Sequence, residues 1–234
     1  MRKLTALLLV LLLTVFSVSA LAETTITVSG AGETLIPADT AVVSVGITAR
    51  DTDALKAQSR ANEVIANIRE KLTEAGIPAE DINTGYVNLY AVYDYSGETE
   101  TISAYTASST LAVRVTDVSL AGKVIDLAFG AGANTLEGVS FSASDTDAAR
   151  TESLKAAVAD AKAKAEVLAA AAGLTIVRID AIQEGTVYSY DSGTNNFSVR
   201  AVKDEAAAGA PTVVQAAKIC VSANVSITFI ATDN

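Results

Sequence analysis

Residues 130–174 constrain the fold of this chain most, because they predict a strand that runs directly into a long helix. Apolar side chains at Val139, Phe141 and Ala143 alternate with serines, which is typical of a half-buried strand. Apolar residues then recur at steps of three and four, which indicates a helix with one narrow apolar stripe. The members of that stripe are Leu154, Val158, Ala161, Ala165, Leu168 and Ala172.

Both ends of this helix carry residues that favour helix termini. Asp145 and Asp147 lie at its start, where a carboxylate can cap main-chain amides and interact favourably with the helix dipole. Gly173 follows its last turn, where a left-handed residue commonly ends a helix. Because the stripe consists mostly of alanine, we predict that the long helix 146–172 packs closely on a sheet.

The rest of the chain alternates pairs of strands with single helices. This order is typical of the α+β class, and we predict an antiparallel or mixed sheet with paired strands between three helices. Strands are predicted at 24–31, 39–50, 81–95, 101–116, 135–144, 174–184 and 217–231, and helices at 53–75, 118–130 and 146–172. Residues 185–216 break the pattern and are predicted to form a long surface loop or insertion, although Tyr188, Tyr190 and Phe197 leave a short hairpin open.

The N-terminus has the composition of a secretory signal peptide. Arg2 and Lys3 precede the uncharged residues 4–22, which end in an Ala-Leu-Ala cleavage sequence. We therefore expect a signal peptide at 1–22 and a mature domain at 23–234 that has no integral membrane segment. The alternative is an uncleaved anchor, because such a stretch can nearly span a bilayer.

The charge of the chain bears on its binding partners, and its cysteine content bears on disulfide formation. Without Arg2 and Lys3 the chain has 15 basic and 27 acidic side chains, and this acidic balance argues against binding to nucleic acid or anionic lipid. Cys220 is the only cysteine, so the chain has no internal disulfide. Its position on the predicted last strand favours a packed small residue, and an intermolecular disulfide or reactive thiol is the alternative.

Few residues are candidates for catalysis. The chain has no histidine, which excludes Ser-His-Asp and Cys-His nucleophiles and histidine-ligated metals. The pairs Asp51 with Asp53 and Asp145 with Asp147 could act as paired carboxylates or bind calcium, but their places before predicted helices favour capping. The glycines at 30–32 are interpreted as a bulge or turn, because no helix follows them. We predict no catalytic, cofactor-binding or metal-binding residues.

Tyrosines are concentrated on one predicted hairpin, whose turn is Ser96-Gly97-Glu98. They are Tyr86, Tyr90, Tyr93, Tyr95 and Tyr105. Alternation places Tyr86 and Tyr90 on one face and Tyr93 and Tyr95 on the other, so one layer of helices cannot bury them all. They form either ordinary cross-strand pairs or a candidate interaction surface for a subunit or ligand.

Several short segments, in a fixed order along the chain, carry a family resemblance. They are TITVSGAGE at 25–33, Pro37 with Asp39, AVVSVG at 41–46, Gly76-Ile77, DINT at 81–84, YDY at 93–95 and the strand 219–230. Together with the strand and helix at 130–174, they resemble the SIMPL-domain family, a group of secreted bacterial proteins that includes periplasmic immunogenic proteins. One departure is Ala38, which separates Pro37 from Asp39 where the family usually has the two adjacent.

The resemblance implies a periplasmic or surface-exposed oligomer, with stress-related roles suggested for some relatives and no established catalytic residues. We therefore expect an exported, non-enzymatic SIMPL-type protein that needs no cofactor and forms a homo-oligomer at the cell envelope. A second hypothesis is a monomeric module that binds an envelope polymer or ligand through the tyrosine hairpin and the 185–216 loop. A third is an enzyme that uses carboxylates.

The export expectation is tested by intact mass spectrometry of protein recovered from outside the cytoplasm. We expect a chain that begins at Glu23, because the charged start, apolar centre and small-residue end of the N-terminus agree. Exported material that begins at Met1 would contradict cleavage.

Overall fold

The structure, a computed structural model, describes residues 23–97, 99–192 and 211–233. These residues divide into two compact units, each assembled from separate stretches of the chain. The first unit comprises 23–33, 151–187 and 222–233, and the second comprises 34–97, 99–150, 188–192 and 211–221. The predicted signal peptide 1–22, and Phe197 with most of the predicted loop 185–216, lie outside the described residues.

Strands and helices follow the predicted order, which confirms the α+β class. The strands are β1 (Thr24–Pro37), β2 (Thr40–Asp51), β3 (Ile82–Asp94), β4 (Thr101–Val115), β5 (Thr135–Ser142), β6 (Leu174–Glu184), β7 (Tyr188–Asp191) and β8 (Lys218–Asp233). The helices are α1 (Ala54–Glu74), α2 (Ala121–Gly130) and α3 (Asp147–Ala171). One interpretation needs correction: no turn interrupts β1 at Gly30–Gly32. Tyr188 and Tyr190, which leave a short hairpin open within 185–216, lie on β7, and β7 pairs with β8.

In the second unit, a four-stranded antiparallel sheet has the order β3-β4-β2-β5, and α1 and α2 pack on one of its faces. Val43 pairs with Val113 and Val45 with Leu111, and all four are fully buried. Ile68 and Leu72 of α1 and Val124 of α2 belong to the same cluster. Full burial of each such side chain contributes about 1.5–3 kcal/mol.

The ends of α1 confirm the capping interpretation of the acids before it. Asp53 is the N-cap, and its carboxylate accepts a hydrogen bond from the Lys56 amide at 3.1 Å. At the other end Gly76 has a φ of +94°, and the Ile77 amide donates to the Leu72 carbonyl, as in a Schellman motif.

Among the helices described, none has the length and apolar character needed to cross a membrane.

Asp39, directly before β2, forms hydrogen bonds with Ser144, just after β5. Its carboxylate accepts hydrogen bonds from the Ser144 hydroxyl (2.6 Å) and amide (2.9 Å) and from the Thr40 hydroxyl (2.8 Å). These bonds, chiefly the one from the Ser144 hydroxyl, lower the pKa of Asp39 below its ordinary value of 3.8. Ala38, the departure from the family pattern, packs partly buried against the core of this unit.

Cys220 lies on β8 in the second unit, where it is buried. Its neighbours Ile219, Val221 and Ser222 are buried as well, so both faces of the strand are covered at this point. The interpretation of Cys220 as a packed small residue is confirmed.

In the first unit, the sheet has the order β1-β8-β6 and α3 packs on it. The buried residues of α3 recur at every fourth position, along one i, i+4 ridge of the helix. They are Ala149, Ser153, Ala157, Ala161, Ala165 and Ala169.

The predicted apolar stripe is therefore correct only in part. Ala161 and Ala165 are fully buried and Leu154 and Val158 partly buried, whereas Leu168 and Ala172 are exposed. The reason is that α3 lies very close to β1. Side chains larger than alanine do not fit on the helix positions that face the strand directly.

Glycines on β1 allow this closeness. A Cβ atom on Gly30 would overlap the carbonyl oxygen of Ala157, and one on Gly32 would overlap the carbonyl oxygen of Ser153. The atoms that would have to move belong to the helix main chain, which cannot shift without moving the whole turn. Both glycines thus serve the packing of α3 on β1.

The α3 contact predicts the effect of a larger side chain. Ala161→Leu should lower the free energy of unfolding by about 1–3 kcal/mol, because the added atoms must enter a closely packed interface. Ala159→Leu, on the exposed side of the same helix, is the matched control and should change it little. Urea unfolding followed by circular dichroism measures both. Equal stability of the two variants would contradict the packing described.

The lowered pKa of Asp39 predicts a pH-dependent contribution to stability. Because the folded protein binds this proton more weakly than the unfolded chain, the contribution is present above the ordinary pKa of 3.8 and is lost as pH falls through the lowered value. Asp39→Asn should therefore destabilise the protein at neutral pH, and the difference from wild type should shrink in acid. Urea unfolding across pH measures this, with Glu137→Gln, at an exposed position of β5, as the control. A difference independent of pH would contradict it.

Candidate functional site

The β3 strand forms one edge of the four-stranded sheet and pairs with β4 alone among the described strands. Its pairing with β4 is regular from Tyr86, opposite Thr110, to Val92, opposite Ala104. Register shifts occur on either side, between Thr84 and Tyr86 and between Val92 and Tyr93. Residues 86–92, which we call the β3 span, are thus a regular seven-residue edge between two irregularities.

Tyr86 and Tyr90 lie on the face of this sheet that α1 and α2 do not cover. They stand opposite Thr110 and Thr106, which are buried, whereas the tyrosines themselves are 48% and 50% exposed. Their predicted common face is confirmed, since both occupy even positions of the regular span. The arrangement gives two aromatic rings beside small hydroxyl side chains.

The other three tyrosines fall into two groups. Tyr93 and Tyr95 have ring centroids 6.3 Å apart, although Tyr95 lies just beyond the end of β3. Beside them, Asp94 accepts a hydrogen bond from the Ser96 amide at 2.9 Å, and its bonds with Ser96 lower the pKa of Asp94. Tyr105 packs partly buried against the core cluster beneath α1, so it does not share a surface with Tyr86 and Tyr90.

Two apolar residues that the sequence did not single out complete the β3 span. Val87 is 55% exposed and Leu89 41% exposed, on the face opposite to that of Tyr86 and Tyr90. The signal that could have found them is charge. Residues 82–93 contain no charged side chain, although the whole chain has a net charge of −10.

The first unit also has an exposed edge strand, β6, but its composition differs. It carries Arg178, Asp180 and Glu184. Arg178 forms ion pairs with Asp180 (3.0 Å) and Glu23 (3.6 Å). Charged side chains are a common protection of edge strands against pairing with other chains. The β3 span lacks that protection.

A groove of about 440 Å³ lies in the first unit, between β1 and α3. Its lining consists of Val28, Ser29, Ala163, Lys164, Val167 and Leu168. The ammonium group of Lys164 donates to Asp160 (2.6 Å) and to the Ser29 carbonyl (3.1 Å), and Asp160 also accepts from the Ala31 amide (2.9 Å). The Lys164 hydrogen bond lowers the pKa of Asp160. These polar groups thus bind one another and hold β1 to α3.

Carboxylates elsewhere serve local structure. Asp117 accepts from the Ser119 amide and Asp145 from the Asp147 amide, at 2.9 and 3.0 Å, at the starts of helical segments. The bonds with Ser119 lower the pKa of Asp117. Within the described ranges, no three Cys, Asp or Glu side chains gather as metal ligands. Of the features described here, the β3 span is therefore the strongest candidate for a functional surface.

Comparison with known proteins relates the chain to one family. The profile of the SIMPL family, described as proteins of unknown function (DUF541), matches residues 26–229. The chain is 30% identical over 164 residues to the 26 kDa periplasmic immunogenic protein of Brucella melitensis biotype 1, a match that covers 68% of this chain and 66% of that relative. It is 27% identical over 131 residues to the uncharacterized protein YggE of Escherichia coli K12, covering 56% of this chain and 53% of that relative. Because the family profile spans most of its length, the chain belongs to the SIMPL family.

Proposed function

We propose that this protein is an exported, non-enzymatic SIMPL protein that self-associates at the cell envelope. The single observation that carries self-association is the exposed, uncharged β3 span. The family resemblance adds a stress-related role, which an assembly can serve by shape alone, as a scaffold or an enclosure.

Two observations support export. Residues 1–22 have the charged start, apolar centre and small-residue end of a signal peptide. The relative from Brucella melitensis is named a periplasmic immunogenic protein. The location proposed for this chain is accordingly the periplasm or the cell surface.

Exposed apolar and aromatic surface supports self-association. Tyr86 and Tyr90 on one face of the β3 span, and Val87 and Leu89 on the other, leave large side chains about half exposed. Exposed aromatic and apolar side chains of this kind commonly mark a contact with another molecule. A second copy of the chain would cover it and remove these side chains from water.

The state of the carboxylates supports a role without catalysis. A general acid at neutral pH needs a raised pKa. The shifted carboxylates described above, those of Asp39, Asp94, Asp117 and Asp160, all have lowered pKa values, because hydrogen-bond donors face them. Groups of this kind remain ionised and stabilise local structure.

The rival function is a monomeric module that binds an envelope polymer. The observation in its favour is the pair of exposed tyrosines Tyr86 and Tyr90, because a tyrosine offers a polymer both an apolar ring and a polar hydroxyl group. Molecular mass in solution separates the two functions, since the rival requires a monomer.

A tyrosine double variant tests the proposal. Tyr86→Ala with Tyr90→Ala should lower the molecular mass measured by light scattering after size exclusion, because the copies lose the aromatic area that they share. Tyr188→Ala with Tyr190→Ala, a second pair of exposed neighbouring tyrosines, is the matched control and should keep the wild-type mass.

Circular dichroism is the folding control for both double variants. A wild-type mature protein that is monomeric at tens of micromolar would overturn the proposed self-association. Equal masses of the two folded double variants would overturn the role of Tyr86 and Tyr90 in it.

A further inference from the structure

We propose that two copies of this protein join edge to edge through the β3 span, antiparallel and with Leu89 on the twofold axis. The sheet β3-β4-β2-β5 of one copy and the same sheet of the other copy then form one continuous sheet of eight strands. This inference rests on the proposed self-association and specifies its partner surface, its direction and its register.

The main chain of an edge strand supplies the attraction. On the side away from β4, the peptide N–H and C=O groups of the β3 span face no described strand and can form a ladder with another chain. A second copy is the occupant that the charges favour. The chain is strongly acidic, so two copies repel each other over most of their surface, but residues 82–93 carry no charge. Two copies can therefore approach each other at residues 82–93 without placing like charges directly opposite one another.

The two irregularities of β3 limit the register. A bulge bends and twists a strand and interrupts its ladder, so pairing is favoured only between the shifts at 84/86 and at 92/93. A twofold axis makes the pairing reciprocal: if one residue of the first copy faces a second residue of the other copy, that second residue of the first copy faces the first residue of the other. Such a pairing is centred on one residue, which alone faces its own symmetry equivalent. The centre of the span 86–92 is Leu89.

This register defines which side chains meet across the axis. On the helix-covered side of the sheet, Leu89 faces Leu89 of the second copy, and Val87 faces Ala91. On the other side, Tyr90 faces Asn88, and Tyr86 faces Val92. Directly opposed residues of an antiparallel pair have Cβ atoms about 4.5–5.5 Å apart. All four exposed side chains of the span thus gain a neighbour at contact distance.

Charge exchange at position 89 tests the axis. Leu89→Lys and Leu89→Glu should each weaken self-association on the order of tenfold or more, because like charges become directly opposed. An equimolar mixture of the two should recover it, because Lys then faces Glu. Sedimentation of each variant and of the mixture measures the dissociation constants. General repulsion does not explain a loss in Leu89→Lys, since this change lowers the net negative charge of each copy.

Val177→Lys is the matched control. Val177 lies on β6, the edge of the other sheet, and is 60% exposed. The Val177→Lys variant should associate like the wild-type protein. Equal weakening in Val177→Lys, or no recovery in the Lys and Glu mixture, would overturn pairing about Leu89.

Cysteine cross-linking tests the same register independently of charge. Cys220 is buried, so a cysteine introduced on β3 is the accessible thiol among the described residues. Under mild oxidation Leu89→Cys should give a disulfide-linked dimer, because its symmetry equivalent lies within the Cα separation that a disulfide spans. Thr84→Cys, beyond the bulge, should remain monomeric on a non-reducing gel.

The outcomes separate this inference from the proposed function. A monomeric wild-type protein removes both. An oligomeric wild-type protein whose mass is unchanged by Leu89→Lys, or whose Leu89→Cys variant forms no covalent dimer, keeps self-association and overturns the β3 register.

Discussion

The first unit depends on a close contact between α3 and β1. The helix presents a row of Ser and Ala residues to the strand, and the strand presents Gly30 and Gly32 to the helix. Main chain therefore meets main chain with little side-chain volume between. Dispersion between closely packed atoms stabilises the contact along this line, and the alanines of α3 share one buried cluster with Val28, Ile227 and Phe229. Such a contact is stable only if every residue along the line stays small.

The same constraint explains what the sequence could and could not predict. The existence of α3 and nearly its bounds follow from spacing, from Asp145 and from Gly173. The placing of Leu168 in the packed stripe was wrong, because periodicity reports which residues are apolar and not how near the partner lies. The sequence likewise favours a bulge or turn at Gly30 and Gly32, because in a sequence a glycine needed for close approach resembles a glycine needed for a bend.

The candidate site was predictable to a similar degree. The sequence places Tyr86 and Tyr90 on a common face, because alternation holds where pairing is regular. It does not separate Tyr105, which packs against the core, because its burial depends on the position of α1. It also does not identify β3 as an edge. Strand order arises from pairing between segments that are distant in the sequence. In the sheet β2 lies between β4 and β5, although it precedes both of them along the chain. Val87 and Leu89 become candidates for a contact with another molecule only because β3 is an edge strand.

The strand order of the first unit has a consequence for the timing of folding. The last strand of the chain, β8, lies between β1 and β6. During synthesis the chain emerges from its N-terminus, so β1 waits for the 16-residue strand β8 before its described partner strand exists. The sheet of the first unit therefore cannot be completed until residues 218–233 have been made, although β1 is the first strand to appear.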